Sequence, residues 1–138
     1  MKTTLLSLLT LAMLSTTILT TNLSANQKPF LIQGKLPHLT GMVKVLWDDE
    51  DLALSTKQKA KLLEVRKYTM KNAKALGKQI RKLETEIVNK SNDNVEPKLL
   101  QDKVSKLASL RAEATMVHLK CIYDTREILT EDQLYILE

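Results

Sequence analysis

Leu54-Ser55-Thr56-Lys57-Gln58 returns near the end of the chain as Leu129-Thr130-Glu131-Asp132-Gln133. Both copies read Leu-[Ser/Thr]-x-x-Gln, and a hydroxyl residue followed three positions later by Gln is the signature of a capping box. The hydroxyl oxygen accepts from the backbone N–H at N3, and the Gln side chain reaches back to the N-cap N–H. Two donors that a first helical turn leaves orphaned are thereby satisfied. In the second copy Leu129 can staple to Leu134, whereas in the first copy the corresponding position is Lys59. Each pentapeptide therefore starts a helix.

Between the two copies, apolar residues recur at three- and four-residue intervals, and no alternating strand pattern occurs. With only three Gly, three Pro and 4% aromatic residues, the chain reads as all-α. One long helix is expected from Ser55 to about Lys90, with Thr69, Ala73, Leu76, Ile80, Leu83 and Ile87 as a heptad seam. Gly77 lies inside it and marks a bend or a close approach. Ser91-Asn92-Asp93-Asn94 breaks the helix, and Pro97 suits the first turn of the next one. That helix runs to about Ile128 on a stripe of Leu100, Val104, Leu107, Leu110, Ala114, Val117 and Cys121, and Thr130 caps a last short helix. Two long helices joined by a short polar loop imply a long antiparallel helical hairpin. A hairpin is one layer thick, and Leu62, Leu63, Leu99, Leu119 and Ile122 are left needing cover, so a homodimer is expected.

The segment 1–25 has the form of a signal peptide: Lys2, an apolar run from Leu5 to Leu19, and the small-residue site Leu23-Ser24-Ala25. Cleavage near Ala25 leaves an exported chain. Residues 26–37, with Pro29, Gly34 and Pro37, read as an extended or disordered arm, and 38–138 as a single helical domain. His38 to Trp47 is a short flanking helix with Met42, Val43, Leu46 and Trp47 on one side. Asp48-Asp49-Glu50-Asp51 follows as a solvated acidic turn or a contact for a basic helix; it lacks the alternation and Gly of a calcium loop. The lone Cys121 cannot form an internal disulfide, and its heptad position favours burial.

The paired Leu-[Ser/Thr]-x-x-Gln motifs bracketing a long helical segment, together with Met116-Val117-His118-Leu119 leading to Ile128-Leu129-Thr130, resemble the LTxxQ-motif periplasmic proteins, the Spy/CpxP group with its metal-resistance relatives. The resemblance runs from about His38 to Leu137. It implies two hairpins paired antiparallel into a thin curved cradle, a periplasmic address and an ATP-independent chaperone of the envelope stress response. Its clients are unfolded or misfolded periplasmic proteins. In this reading Leu54, Ser55, Gln58, Leu129, Thr130 and Gln133 are structural.

Charge adds a surface to that fold. The chain carries a formal net charge of +5, and the excess sits on the first long helix, where eleven Lys and Arg oppose only Glu64, Glu84 and Glu86. By charge alone this is equally a solvated, self-repelling face; the resemblance implies that Lys59, Lys61, Arg66, Lys67, Lys71, Lys74, Lys78 and Arg81 are the candidate client-binding residues, capturing acidic or unfolded clients at long range. Export and the lack of a recognition fold or stacking platform argue against nucleic acid. A restraining contact with the periplasmic domain of a sensor kinase is a further partner that the resemblance implies.

Catalysis is not expected: there is no nucleophile elbow, HExxH, CxxC or Gly-rich phosphate loop. The alternative is metal binding. His38 and Met42 lie at i, i+4, and His118 and Cys121 at i, i+3, a zinc or copper set only if the fold joins the two pairs.

Overall fold

The computed structural model describes residues 29–32 and 34–137. The expected signal segment, Met1 to Ala25, lies outside them. The described residues form four α-helices in the order α1 (Leu39–Val45), α2 (Thr56–Asn92), α3 (Gln101–Ile128) and α4 (Glu131–Leu137), with a 3-10 turn at Pro97–Leu100 before α3. Among the described residues there is no strand, and no helix is long and apolar enough to cross a membrane.

At 37 residues α2 is a rod of about 55 Å. It starts at the N-cap Ser55, whose extended backbone and reciprocal bonds with Gln58 make the capping box. It ends two residues later than its sequence suggests. Asn94 takes a left-handed φ of 58°. The N–H of Val95 then bonds to the carbonyl of Lys90, and that of Asn94 to Ser91, each at 3.0 Å. This Schellman pattern satisfies two terminal carbonyls, with Asn in the place usually taken by Gly. Pro97 opens the following 3-10 turn, where its missing N–H costs nothing.

Helices α2 and α3 make the most extensive contact between elements. Lys103 bonds to Glu86, Arg111 to Glu84, and Lys120 lies over Tyr68. Numbers that rise on one helix as they fall on the other mean that the two run in opposite directions. Ile80, Leu83, Leu110 and Ala114 form the core between them, with Leu76, Ile87, Leu107 and Phe30 at its edge. The α3 stripe departs from expectation at Val104. Val104 is exposed and Lys103 faces Glu86 instead, while the buried stripe continues through Thr115, His118, Cys121 and Thr125. The two threonines bond back to the carbonyls of Arg111 and Cys121, so polar side chains sit in the core without an unmet hydroxyl.

A second core lies where α1, α4 and the start of α2 converge, built from Val43, Leu52, Leu62, Leu129 and Leu137 with Leu46, Trp47, Leu54, Ile128 and Leu134 around them. Leu62 is thus covered by its own chain and needs no second copy. Leu63 and Leu99 remain exposed. Helix α1 turns Leu39 and Val43 inward, not Met42, which is exposed. The acidic turn has a structural task. Asp49 Oδ1 accepts from the N–H groups of Asp51 and Leu52, at 3.0 and 3.1 Å, and this turn drives Leu52 into the core.

The described part of the arm has no helix or strand, bends at Leu31 and Ile32, and packs on the long helices. Leu31 donates its N–H to Thr115 Oγ1 at 2.7 Å, the carbonyl of Phe30 accepts from Arg111, and Pro29 lies against Gly77. The close approach expected at Gly77 is therefore to the arm, not to another helix.

Candidate functional site

The two pentapeptides meet. In a capping box the Gln carbonyl oxygen must take the N-cap N–H, since only oxygen can accept it. Gln58 Oε1 accepts from Ser55 N at 3.0 Å, and Gln133 Oε1 accepts from Thr130 N at 3.0 Å. Each amide nitrogen is thereby aimed away from its own cap. Gln58 Nε2 donates to the carbonyl of Ile128 at 3.0 Å and to Gln133 Oε1 at 2.7 Å. Gln133 Nε2 donates to the carbonyl of Leu52 at 2.9 Å and lies 3.4 Å from Gln58 Oε1. The motifs therefore form a two-way clasp that ties the start of α2 to the start of α4. Leu54 and Leu129 pack into the core beneath it. The sequence shows both caps but not their contact, because each cap is local while the contact joins residues 75 positions apart.

The eight candidate basic residues separate into two groups. Lys67, Lys71, Lys74, Lys78 and Arg81 are all exposed. At 3.6 residues per turn they fall within roughly 80° of one another, on the side of α2 opposite the Leu62, Leu76, Ile80, Leu83 and Ile87 core line. Lys82 extends the stripe and was missed, although the same spacing marks it. Along its length of about 22 Å the stripe carries no ion pair among the described residues. The ion pairs run elsewhere: Glu84 goes to Arg111, Glu86 to Lys103, Asp48 to Lys59 and Asp124 to Lys120. The acids of the second half of α2 thus bridge to α3, and its outward lysines form no ion pair among the described residues. Leu63 and Met70 flank the stripe on one side and Tyr68 on the other, each about half exposed (54%, 54% and 49%).

Lys59, Lys61 and Arg66 do not join the stripe. Lys59 bonds to Asp48 at 2.8 Å and sits over the Trp47 ring. Lys61 is exposed on a different side of the helix, and Arg66 lines a groove beside α1. The Lys103 bridge, a hydrogen bond reinforced by charge, holds the Glu86 carboxyl below its ordinary value, and the Asp124 carboxylate raises Lys120 in the same way.

His38 and His118, at opposite ends of the domain's sequence, are neighbours. Their rings stack at 4.6 Å between centroids with planes 17° apart, and Phe30 stacks on His118 at 4.7 Å. Cys121 is buried one turn further along α3, with Thr40 Oγ1 at 3.8 Å from its sulfur. The fold therefore supplies the proximity that the metal alternative needed, but not its geometry. Imidazole nitrogens present their lone pairs in the ring plane, and two nearly parallel stacked rings cannot aim them at one ion. Among the described residues no group of three or more His, Cys, Asp or Glu is placed to hold a metal.

No family model, curated protein or solved structure matches the chain.

Proposed function

We propose that this protein is an exported, periplasmic, ATP-independent chaperone that holds unfolded clients on the outward basic stripe of α2, as the Spy/CpxP resemblance implies. The observation that carries the reading is the absence of ion pairs along Lys67, Lys71, Lys74, Lys78 and Arg81 among the described residues, in a chain that supplies them to Lys59, Lys103, Arg111 and Lys120. Like charges at i, i+4 destabilise a helix by about 0.2–0.5 kcal/mol per pair. A stripe that bears this cost is suited to an external anion. Long-range attraction captures an acidic or unfolded segment, and Leu63, Tyr68 and Met70 then cover its apolar side chains. Contacts of this kind are weak and fast to exchange, so release needs no nucleotide.

In this proposal α2 and α3 are the arms of a hairpin, and two copies pair into a thin cradle. Val88, Leu99 and Val104, exposed toward the loop end, are the apolar surface available for that pairing. The periplasmic domain of an acidic sensor kinase is a second partner for the same stripe.

The test is aggregation of an unrelated denatured protein, at low and high salt and without nucleotide. Suppression that weakens with salt is the expected result. Its absence at several-fold excess of the chain would overturn the proposal, and salt-sensitive binding to an acidic sensor domain alone would favour the regulatory role.

A further inference from the structure

A groove of about 340 Å³ opens between α1 and the second turn of α2. Its apolar lining is Val43, Trp47, Leu62 and Leu63, and its polar lining is Thr40, Lys44 and Arg66. No carboxylate lines it. Neither Lys44 nor Arg66 takes part in an ion pair among the described residues, and Asp48, the acid next to Trp47, is engaged by Lys59. We propose that this groove binds a medium-chain fatty carboxylate, with its tail against Val43, Trp47, Leu62 and Leu63 and its head group between Lys44 and Arg66.

The composition selects the ligand class. An apolar trough with two cations, one hydroxyl and no acid favours an anionic amphiphile and disfavours a cationic or strongly polar one. The volume lies at the lower end of small-molecule sites. Helix α1, seven residues or about 10 Å long, bounds a trough too short for a docked amphipathic helix. A single alkyl chain fits both limits. The fold also keeps the site open. Val43 and Leu62 are fixed by the core below, whereas Leu63 is half exposed and Lys44 is exposed, so the upper wall has no covering element among the described residues. The two cations of the groove, Lys44 and Arg66, lie outside the client stripe, and Leu63 borders both, so the Lys44 and Arg66 variants are the ones that separate this inference from client binding.

Trp47 is the chain's only tryptophan and lines the groove, so its emission reports occupancy directly. Titration of the purified protein with decanoate, below the micellar range, is expected to give a saturable shift in Trp47 emission. Decanol is expected to bind about tenfold more weakly, and decyltrimethylammonium more weakly still. Lys44→Gln and Arg66→Gln should each weaken decanoate by roughly 2- to 5-fold, the range of an exposed ion pair, and the double variant by about tenfold, without changing the melting curve. Leu63→Gln, at a half-exposed position, should weaken decanoate and decanol alike. Decanol binding as tightly as decanoate, a double variant with unchanged affinity, or no saturable response of Trp47 would each overturn the proposal. Groove variants that lower aggregation suppression while decanoate gives no response would assign the trough to protein clients instead.

Discussion

The clasp and the basic stripe are both written in spacings of three and four residues, yet they treat polar groups in opposite ways. At the clasp, Gln58 and Gln133 have both their oxygen and their nitrogen occupied, and the joint lies over a closed apolar core. Along the back of α2 the ammonium groups of Lys67, Lys71, Lys74 and Lys78 have no carboxylate partner among the described residues. One region spends its polar groups on holding the chain together, and the other leaves them for water or a partner. The contrast indicates where stability and function part: changes at the clasp should unfold the protein, and changes at the stripe should disarm it.

The largest expected effect is at the clasp. Gln133→Ala removes a cap worth about 1 kcal/mol and leaves the buried carbonyl of Leu52 unpaired, a further 1–3 kcal/mol or so. A loss of about 3 kcal/mol in total, a melting temperature lower by about 15 °C, should appear in thermal denaturation. In a double-mutant cycle with Gln58→Ala the two losses should be less than additive, because both variants break the same amide pair. Strict additivity would reduce the clasp to two separate caps.

The stripe should behave in reverse. Replacing Lys71, Lys74 and Lys78 together by Glu is expected to lower aggregation suppression several-fold while leaving the melting temperature within a few degrees. A variant that melts early would show the stripe to be structural after all, and the comparison would fail.

Two smaller changes sharpen it. A Cβ at Gly77 would meet Arg81 Nη1 at 3.4 Å and Pro29 at 3.7 and 3.8 Å, ordinary contacts. Gly77→Ala should therefore stabilise α2 by about 0.5 kcal/mol through helix propensity, whereas Gly77→Leu should displace the arm and open the Leu31 N–H, which donates to Thr115 Oγ1, to hydrogen exchange. The smallest effect belongs to the exposed Glu86–Lys103 bridge. Its carboxyl is held below the ordinary value of 4.5, so its stabilisation is present above that pH and is lost as pH falls through the lowered value. Glu86→Gln should lower the melting temperature slightly at neutral pH and not at all in strong acid. A gap that persists in acid would assign the effect to packing.

Much of this was legible beforehand. Periodicity placed both long helices to within a few residues, the hydroxyl–Gln spacing placed the caps of α2 and α4, and Ser91 to Asn94 the break. All three are set by interactions within a few residues of sequence, which the chain states directly. The heptad seam of α2 faces the core, with Ile80 and Leu83 buried and Leu76 and Ile87 at its edge, whereas the eight basic candidates separated into a stripe and three residues outside it. On α1 the arithmetic held for Val43, Leu46 and Trp47 and failed at Met42. Seven residues allow several apolar faces, and the core chose Leu39 and Val43 over Met42.

What the sequence by itself determined is therefore local: which segments are helices, how α2 and α4 begin, and that α2 carries the excess of positive charge. Only the tertiary structure decided that Gln58 meets Gln133, that Phe30, His38 and His118 stack, that the arm lies on Gly77, and that α1 closes a groove over Leu62. Each of these joins groups that are neighbours only after the chain has turned back on itself. The choice among such contacts is made by burial of apolar surface and by satisfaction of buried polar atoms, quantities with no value until the whole domain is assembled.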